Sequence, residues 1–259
     1  MKLNSPIGFL LGLGVVGFAT TSGIDNPKVF LNEHAAIIVI GGTVSVAFII
    51  FPFKHFMNIL KVYFRVITGS NSNQIFLVID EIMKIAKGQQ AGQTLPNLVK
   101  EIKNPFLRES VELLAKGGFS EEDLDDVLEK RLQTQNEEYK HNAATYKVLG
   151  KFPPAFGLCG ATLGMISLLQ GLGQPGAFQK LGPSMSVALV ATFYGLIMAN
   201  VFVIPMGENL AEASHEDLIV RRVIVDGVKL VRAKKHPLIV EEFLRSYLKP
   251  ADRNKLAKT

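Results

Sequence analysis

Cysteine is nearly absent from this sequence. Cys159 stands alone among 259 residues, so no intramolecular disulfide exists. The short motifs of soluble enzymes are absent as well. There is no phosphate-cradling Gly-Lys-Ser/Thr loop, no His-Glu-x-x-His, no paired cysteines and no Gly-x-Ser-x-Gly. Hence no enzyme activity, cofactor, metal site or use of ATP is expected. Fixed-period repeats and low-complexity tracts are missing too. The most consequential absence is charge. Not one Asp, Glu, Lys or Arg occurs over residues 152–179 or 181–207. Such stretches suit hydrocarbon rather than a soluble core.

What is present is 48% hydrophobic residues, gathered into four apolar spans over 6–22, 33–53, 152–173 and 183–205. Crossing a bilayer takes about 20 apolar residues, and the first span is slightly short. A signal peptide is the alternative there, because Lys2 precedes it and Ala19-Thr20-Thr21-Ser22-Gly23 resembles a cleavage site. Against that, a second span follows at once, and glycines at 8, 12, 14 and 17 suit a packed helix.

Lysine and arginine set the orientation. Residues 54–151 hold 14 of the 28, and the tail after Pro205 holds 11. The two short connections carry only Lys28 and Lys180, so both termini and the long loop are expected on the cytoplasmic side. This bias, together with anionic lipid, explains the basic pI without nucleic acid.

The loop reads as mostly helical. Residues 54–67 continue the second span, and Gly69-Ser70-Asn71-Ser72-Asn73 breaks it. Residues 74–86 place Ile75, Val78, Ile79, Ile82 and Ile85 on one helical face. Short amphipathic helices follow over 95–102 and 106–115, closed by Gly117-Gly118. Ser120 with Asp123 resembles a capping box opening a long polar helix, which runs past Glu138 and Tyr146 directly into the third span. Residues 206–233 continue the fourth span, Lys234-Lys235-His236-Pro237 interrupts it, and 238–248 form a last helix. The fold class is all-α: four transmembrane helices, a large helical cytoplasmic loop and a helical tail. The domains are 1–53 (helices 1 and 2), 54–150 (cytoplasmic), 151–205 (helices 3 and 4) and 206–259 (cytoplasmic tail).

No ionisable side chain occupies the middle of any span, although Glu33 and His34 sit at an outer end. An ion carrier normally tolerates such a group, at roughly 2.5–3.5 kcal/mol, because it must bind the ion. Only hydroxyls are offered: Thr43, Thr162, Ser167, Ser184, Ser186, Thr192 and Tyr194. They bond their own helices, or Thr162 and Thr192 face a partner helix that brings the missing carboxylate. Gly157, Gly160 and Gly164 form one close-packing face, and Gly8, Gly12 and Gly17 do similarly in the first span. Cys159 reads as a small packing residue. Pro154 and Pro205 mark the cytoplasmic ends of spans three and four, as ordinary helix-end prolines or as hinges. The acidic run 121–126 reads as a solvated helix start, and His55, His141, His215 and His236 as surface residues.

These residues resemble a known family. Pro154-Ala155-Phe156-Gly157, Gly160-Ala161-Thr162-Leu163-Gly164, Gly182-Pro183 and Ala191-Thr192-Phe193-Tyr194-Gly195, with Asn200 and Pro205, are similar to the MotA/PomA stator subunits of the bacterial flagellar motor. Val39-Ile40-Gly41-Gly42-Thr43, Asn104-Pro105-Phe106-Leu107 and Ala115-Lys116-Gly117-Gly118 extend the resemblance along nearly the whole chain. It implies a homopentamer around two MotB-type partners in the inner membrane, each partner carrying a membrane aspartate and a peptidoglycan-binding domain. Ions crossing at that aspartate would drive torque on the rotor protein FliG. The resemblance makes Pro154 and Pro205 the torque prolines and places Ala161, Thr162, Ala191 and Thr192 along the ion path.

Two departures stand out. After Lys87-Gly88 the family's usual glutamate is missing, leaving Lys87 as the basic rotor contact and Glu101 as the acid from the next turn. Glu33-His34-Ala35 replaces a usual Pro-Ser at the outer start of span two. Sodium-driven relatives carry extra threonines where Ala161 and Ala191 stand, so protons are the expected coupling ion. The nearest rival is the TolQ/ExbB branch, which usually has three spans; a non-conducting membrane scaffold or a self-contained transporter is the alternative from another class.

Overall fold

The computed structural model describes residues 4–22, 26–51, 74–172 and 177–256, and every regular element among them is helical. The helix expected over 54–67, the break after it, Lys2 and His55 lie outside the described residues. The helices are α1 (Asn4–Thr21), α2 (Glu33–Ala36), α3 (Gly42–Ile50), α4 (Gln74–Gln90), α5 (Leu95–Val99), α6 (Pro105–Lys116), α7 (Glu121–Leu149), α8 (Phe152–Gly171), α9 (Ala177–Ile197), α10 (Ile204–Arg232), α11 (Pro237–Arg245) and α12 (Pro250–Leu256). Wider π turns join α2 to α3 (Ile37–Gly41) and α9 to α10 (Met198–Val203).

The chain forms two compact units. One comprises Met1–Ser70 with His141–Ala211, the other Asn71–Lys140 with Glu212–Thr259. The division follows composition: the apolar spans fall in the first unit and the charged loop and tail in the second. Among the described residues three helical stretches are long and apolar enough to cross a membrane, Pro27–Ile50, Glu121–Gly171 and Leu181–Arg232, and Ile7–Thr21 is a shorter apolar helix.

The second unit has an ordinary apolar core. Val78, Ile79, Ile82 and Ile85 of α4 are buried as their spacing predicts, against Val223, Ile224 and Val228 of α10, Leu107 and Val111 of α6, and Val240 and Leu244 of α11. Local chemistry sets the helix ends. Asn104 Oδ1 accepts from Leu107 N–H at 3.1 Å, and Pro105 follows in the first turn. Gly117 and Gly118 take φ of 68° and 82°, a region costly for residues with a Cβ. Ser120 and Asp123 form the reciprocal box: Asp123 N–H donates to Ser120 Oγ at 3.0 Å, and Ser120 N–H donates back to the carboxylate at 3.3 Å.

Several expectations are corrected. α5 stops at Val99 rather than 102, where residues 100–104 leave the helix to enter α6. His236 is exposed, as a surface residue should be, and in addition its Nδ1 accepts from Leu238 N–H at 3.3 Å and caps α11. Pro250–Leu256 adds a helix that periodicity missed. Asp125, read as solvated, pairs with Arg232 at 2.8 Å, and Glu129 binds both Arg222 (2.8 Å) and Lys229 (3.2 Å). The spacing 121, 125, 129 on α7 opposite 222, 229, 232 on α10 was the available signal.

Candidate functional site

The site is built in the first unit around glycines and prolines. Pro153 and Pro154 have no N–H to offer the carbonyls four residues earlier, so the polar helix does not run unbroken into the third span. It ends at Leu149, passes Gly150 and Lys151, and restarts at Phe152. At that break the chain lies close to the start of α10. A Cβ on Gly150 would stand 2.9 Å from Ile204 Cγ1, and one on Gly207 would stand 2.8 Å from Tyr146 Cβ. Lys147 and Glu208 add an exposed ion pair at 3.4 Å. The two prolines thus sit at helix junctions that neighbour one another.

Pro205 has a similar local effect. It lies two residues after the π turn Met198–Val203, and Ile204 N–H reaches back to Ala199 rather than to the residue four earlier. Widening the helix there accommodates a ring that would otherwise crowd the carbonyl of Val201. Asn200 also bonds back to the Leu196 carbonyl, at 2.9 Å.

α8 and α9 pack backbone to backbone. Cβ atoms placed on Gly157, Gly160 and Gly164 would lie 2.9 Å from Ala191 O, 2.4 Å from Ala191 Cβ and 2.8 Å from Ala188 Cβ. In return, a Cβ on Gly195 would lie 2.4 Å from Pro153 O. The α2–α3 stretch joins the same assembly: Gly42 lies beneath the Phe156 ring, leaving no room for a methyl group. Thr43 Oγ1 donates to Val39 O at 2.6 Å across the first π turn. Three of the sequence motifs therefore meet in space. The first span behaves otherwise. Among the described residues, a Cβ on Gly12 would lie 3.4 Å from Val201 Cγ1, and Cβ atoms on Gly8 and Gly17 would meet nothing within 4 Å. Cys159, expected to pack, is exposed.

Ala191 is fully buried against Gly160. Thr192, half-buried, donates its hydroxyl hydrogen to Ala188 O at 3.1 Å. Thr162 stands two residues beyond Gly160, on the far side of α8 from the α9 contact, and is exposed. Its hydroxyl donates to Cys159 O at 2.8 Å. Each threonine oxygen, its hydrogen engaged with the helix, keeps lone pairs to accept a proton donor or a cation. Tyr194 donates to Phe30 O and Phe30 packs on Phe193 at 5.2 Å, fastening the turn before α2 to α9. Ser167 and Ser184 bridge α8 and α9 at 3.3 Å.

In the second unit, Lys87 is exposed in the last turn of α4, and Gly88 beside it admits Leu98 so closely that a Cβ would be 2.6 Å from Leu98 Cδ2. Glu101 is exposed on the α5–α6 connection. Sequence reasoning missed the Tyr139–Asp217–Arg221 group. Tyr139 Oη and Arg221 Nε each donate to Asp217 at 2.6 Å, and Arg221 lies over the Phe106 ring at 4.8 Å. Burial, then the hydrogen bond to Asp217, push the Tyr139 phenol up to about 12. Among the described residues no group of three or more His, Cys, Asp or Glu could hold a metal ion.

Known proteins are similar to this chain in sequence and fold. Chemotaxis protein PomA of Vibrio alginolyticus is 26% identical over 98% of both chains. The uncharacterized protein YtxD of Bacillus subtilis is 29% identical over 93% of this chain and 88% of its own. The flagellar MotAB stator complex of Bacillus subtilis superposes with a TM-score of 0.86 at 24% identity, covering 98% of this chain and 99% of that one. Residues 98–246 match the profile of the MotA/TolQ/ExbB proton channel family, and the chain belongs to that family.

Proposed function

We propose that this chain is the membrane subunit of a flagellar motor stator, conducting protons with a MotB-type partner and turning the ion-motive force into torque. One observation carries the reading. α8 and α9 form a tightly packed pair whose junctions with α7 and α10 are broken by prolines, yet α8 contains no Asp, Glu, His, Lys or Arg, and α9 contains none beyond Lys180 near its start. A proton path along them therefore needs a carboxylate from another chain, on a single helix able to lie against the exposed Thr162 face. The similarity to PomA and to a MotAB stator complex supports the motor branch over the TolQ/ExbB branch.

The finer parts of the reading follow the same logic. Four helices cross the inner membrane with both termini inside, the segments being 1–53, 54–150, 151–205 and 206–259. Five copies surround two partners. Thr162 and Thr192, with Ala161 and Ala191, border the ion path; Pro154 and Pro205 are the hinges; Lys87 and Glu101 engage the rotor protein FliG. Co-expression with the MotB-type protein of the same cell tests the core of this. A stable membrane complex, and swimming restored only when both chains are present, are the expected results. A chain that purifies alone and leaves motility intact when deleted would overturn the reading.

A further inference from the structure

The α5–α6 connection, residues 100–104, carries Lys100, Glu101 and Lys103 and is held from two sides. Glu81, on α4, accepts from Lys103 N–H at 3.0 Å with one carboxylate oxygen and from Asn104 N–H at 3.3 Å with the other. Arg108, on α6, donates Nε to Ile102 O at 3.0 Å and a second guanidinium N–H to the same oxygen. An anion thus takes the two amides after Ile102, while a cation takes its carbonyl. Both contacts are charge-assisted, the stronger class of hydrogen bond. Between them Ile102 is anchored in the core, 2% exposed.

An exposed connection of five residues could be solvated by water instead. What the clamp adds is registration. Glu81 belongs to the same helix as Lys87, six residues earlier, so the carboxylate ties the segment bearing Glu101 directly to the helix bearing Lys87. The charges already sense one another. Lys84, one turn before Lys87, is held above its ordinary range first by its hydrogen bond to Asp80, with Glu81 and Glu101 contributing. Lys84 and Asp80 lie 2.8 Å apart.

We propose that Glu81 and Arg108 are positioning residues that lock the 100–104 connection to α4, presenting Lys87 and Glu101 to the rotor as one rigid pattern of charge. This rests on the reading of those two residues as rotor contacts. The test uses the full stator complex, by amide hydrogen exchange on the purified assembly and by torque per stator in resurrected single motors. Glu81→Gln replaces the carboxylate with a neutral amide that keeps only one acceptor oxygen. It should speed exchange across 100–104 on the order of tenfold, leave Ile79 and Ile82 protected, keep stator recruitment normal and at least halve torque per stator. Glu81→Asp should restore part of both. Arg108→Lys, which keeps charge but loses the fork, should repeat the pattern if Glu81→Gln fails to assemble. Unchanged exchange at 100–104 overturns the clamp, and faster exchange with full torque per stator overturns its positioning role. Normal torque in Lys87→Glu and Glu101→Lys, with the connection still loosened by Glu81→Gln, would instead sink the rotor-contact reading while leaving the clamp intact.

Discussion

Two identical substitutions should have opposite effects on this protein. At Gly195, an added Cβ would stand 2.4 Å from the Pro153 carbonyl oxygen and 3.1 Å from Pro154 Cα. An ordinary carbon–oxygen contact is about 1 Å longer than the first of these, so α9 must retreat from the start of α8 by that much. The obstacle is backbone whose φ is fixed by consecutive prolines, so it cannot swing aside as a side chain would. Overpacking of this kind costs about 1–3 kcal/mol, offset by about 0.5–1 kcal/mol because alanine is the better helix former. At Gly14 an added Cβ would meet nothing within 4 Å among the described residues, so only the favourable contribution remains.

Gly195→Ala should therefore destabilise by up to about 2.5 kcal/mol while Gly14→Ala is neutral or stabilising. Thermal unfolding of the purified stator complex, followed by helical circular dichroism, measures the difference; a drop of several degrees is expected for the first variant alone. Swimming should suffer further in Gly195→Ala, because the displaced backbone is that of the Pro153-Pro154 junction. Equal midpoints for the two variants would refute the close backbone approach. Full swimming speed at a lowered midpoint would refute the link from that junction to torque.

Four other outcomes are expected. Pro154→Leu or Pro205→Leu should leave assembly intact, as judged by pull-down with the MotB-type partner, and abolish motility; normal swimming would refute the hinge. Lys87→Glu should lower torque more than Lys140→Glu, and equal losses would leave Lys87 with no special role. Swimming speed should ignore external sodium and collapse with a protonophore, since Ala161 and Ala191 contribute no oxygen ligands; a speed that tracks sodium at fixed pH overturns this. Because the Tyr139 phenol is raised from 10.0 to about 12, its contribution to stability is whole below pH 10 and is lost as pH rises through 12. Tyrosinate absorbance should show that late titration, and in Asp217→Asn it should fall back towards pH 10.

What the sequence disclosed and what it hid divide along a physical line. Helix periodicity located α4, α6 and α10, and the Ser120–Asp123 box and the Gly117-Gly118 stop were readable because capping and positive φ are local chemistry. The glycine face of α8 was readable as a pattern, yet not its counterpart, since nothing local says that Ala188, Ala191 and Gly195 would fill it. The same pattern in α1 is nearly unused within the chain, because small residues permit close approach without compelling it. The Glu81 contacts were hidden for another reason: they depend on where the folded α5–α6 connection puts the N–H groups of Lys103 and Asn104.

On the proposal that Thr162 and Thr192 border an ion path, their hydroxyls bear on which ion it would select. Thr162 and Thr192 spend their hydrogens on their own helix carbonyls, at 2.8 and 3.1 Å, and expose only acceptor oxygens. A proton arriving on a partner carboxylate makes that group a donor, and one such acceptor suffices to hold it. A sodium ion needs several oxygens to replace its water, and Ala191 faces Gly160 so tightly that a hydroxyl there would enter the helix contact. If Ala191 borders the ion path as proposed, the packing that lets α8 and α9 touch leaves no room there for an added hydroxyl ligand. Either ion gains roughly 2.3 kcal/mol per 100 mV on crossing, so the available energy does not choose between them. The choice rests on coordination, and the close contact of two small residues, Gly160 and Ala191, favours the proton.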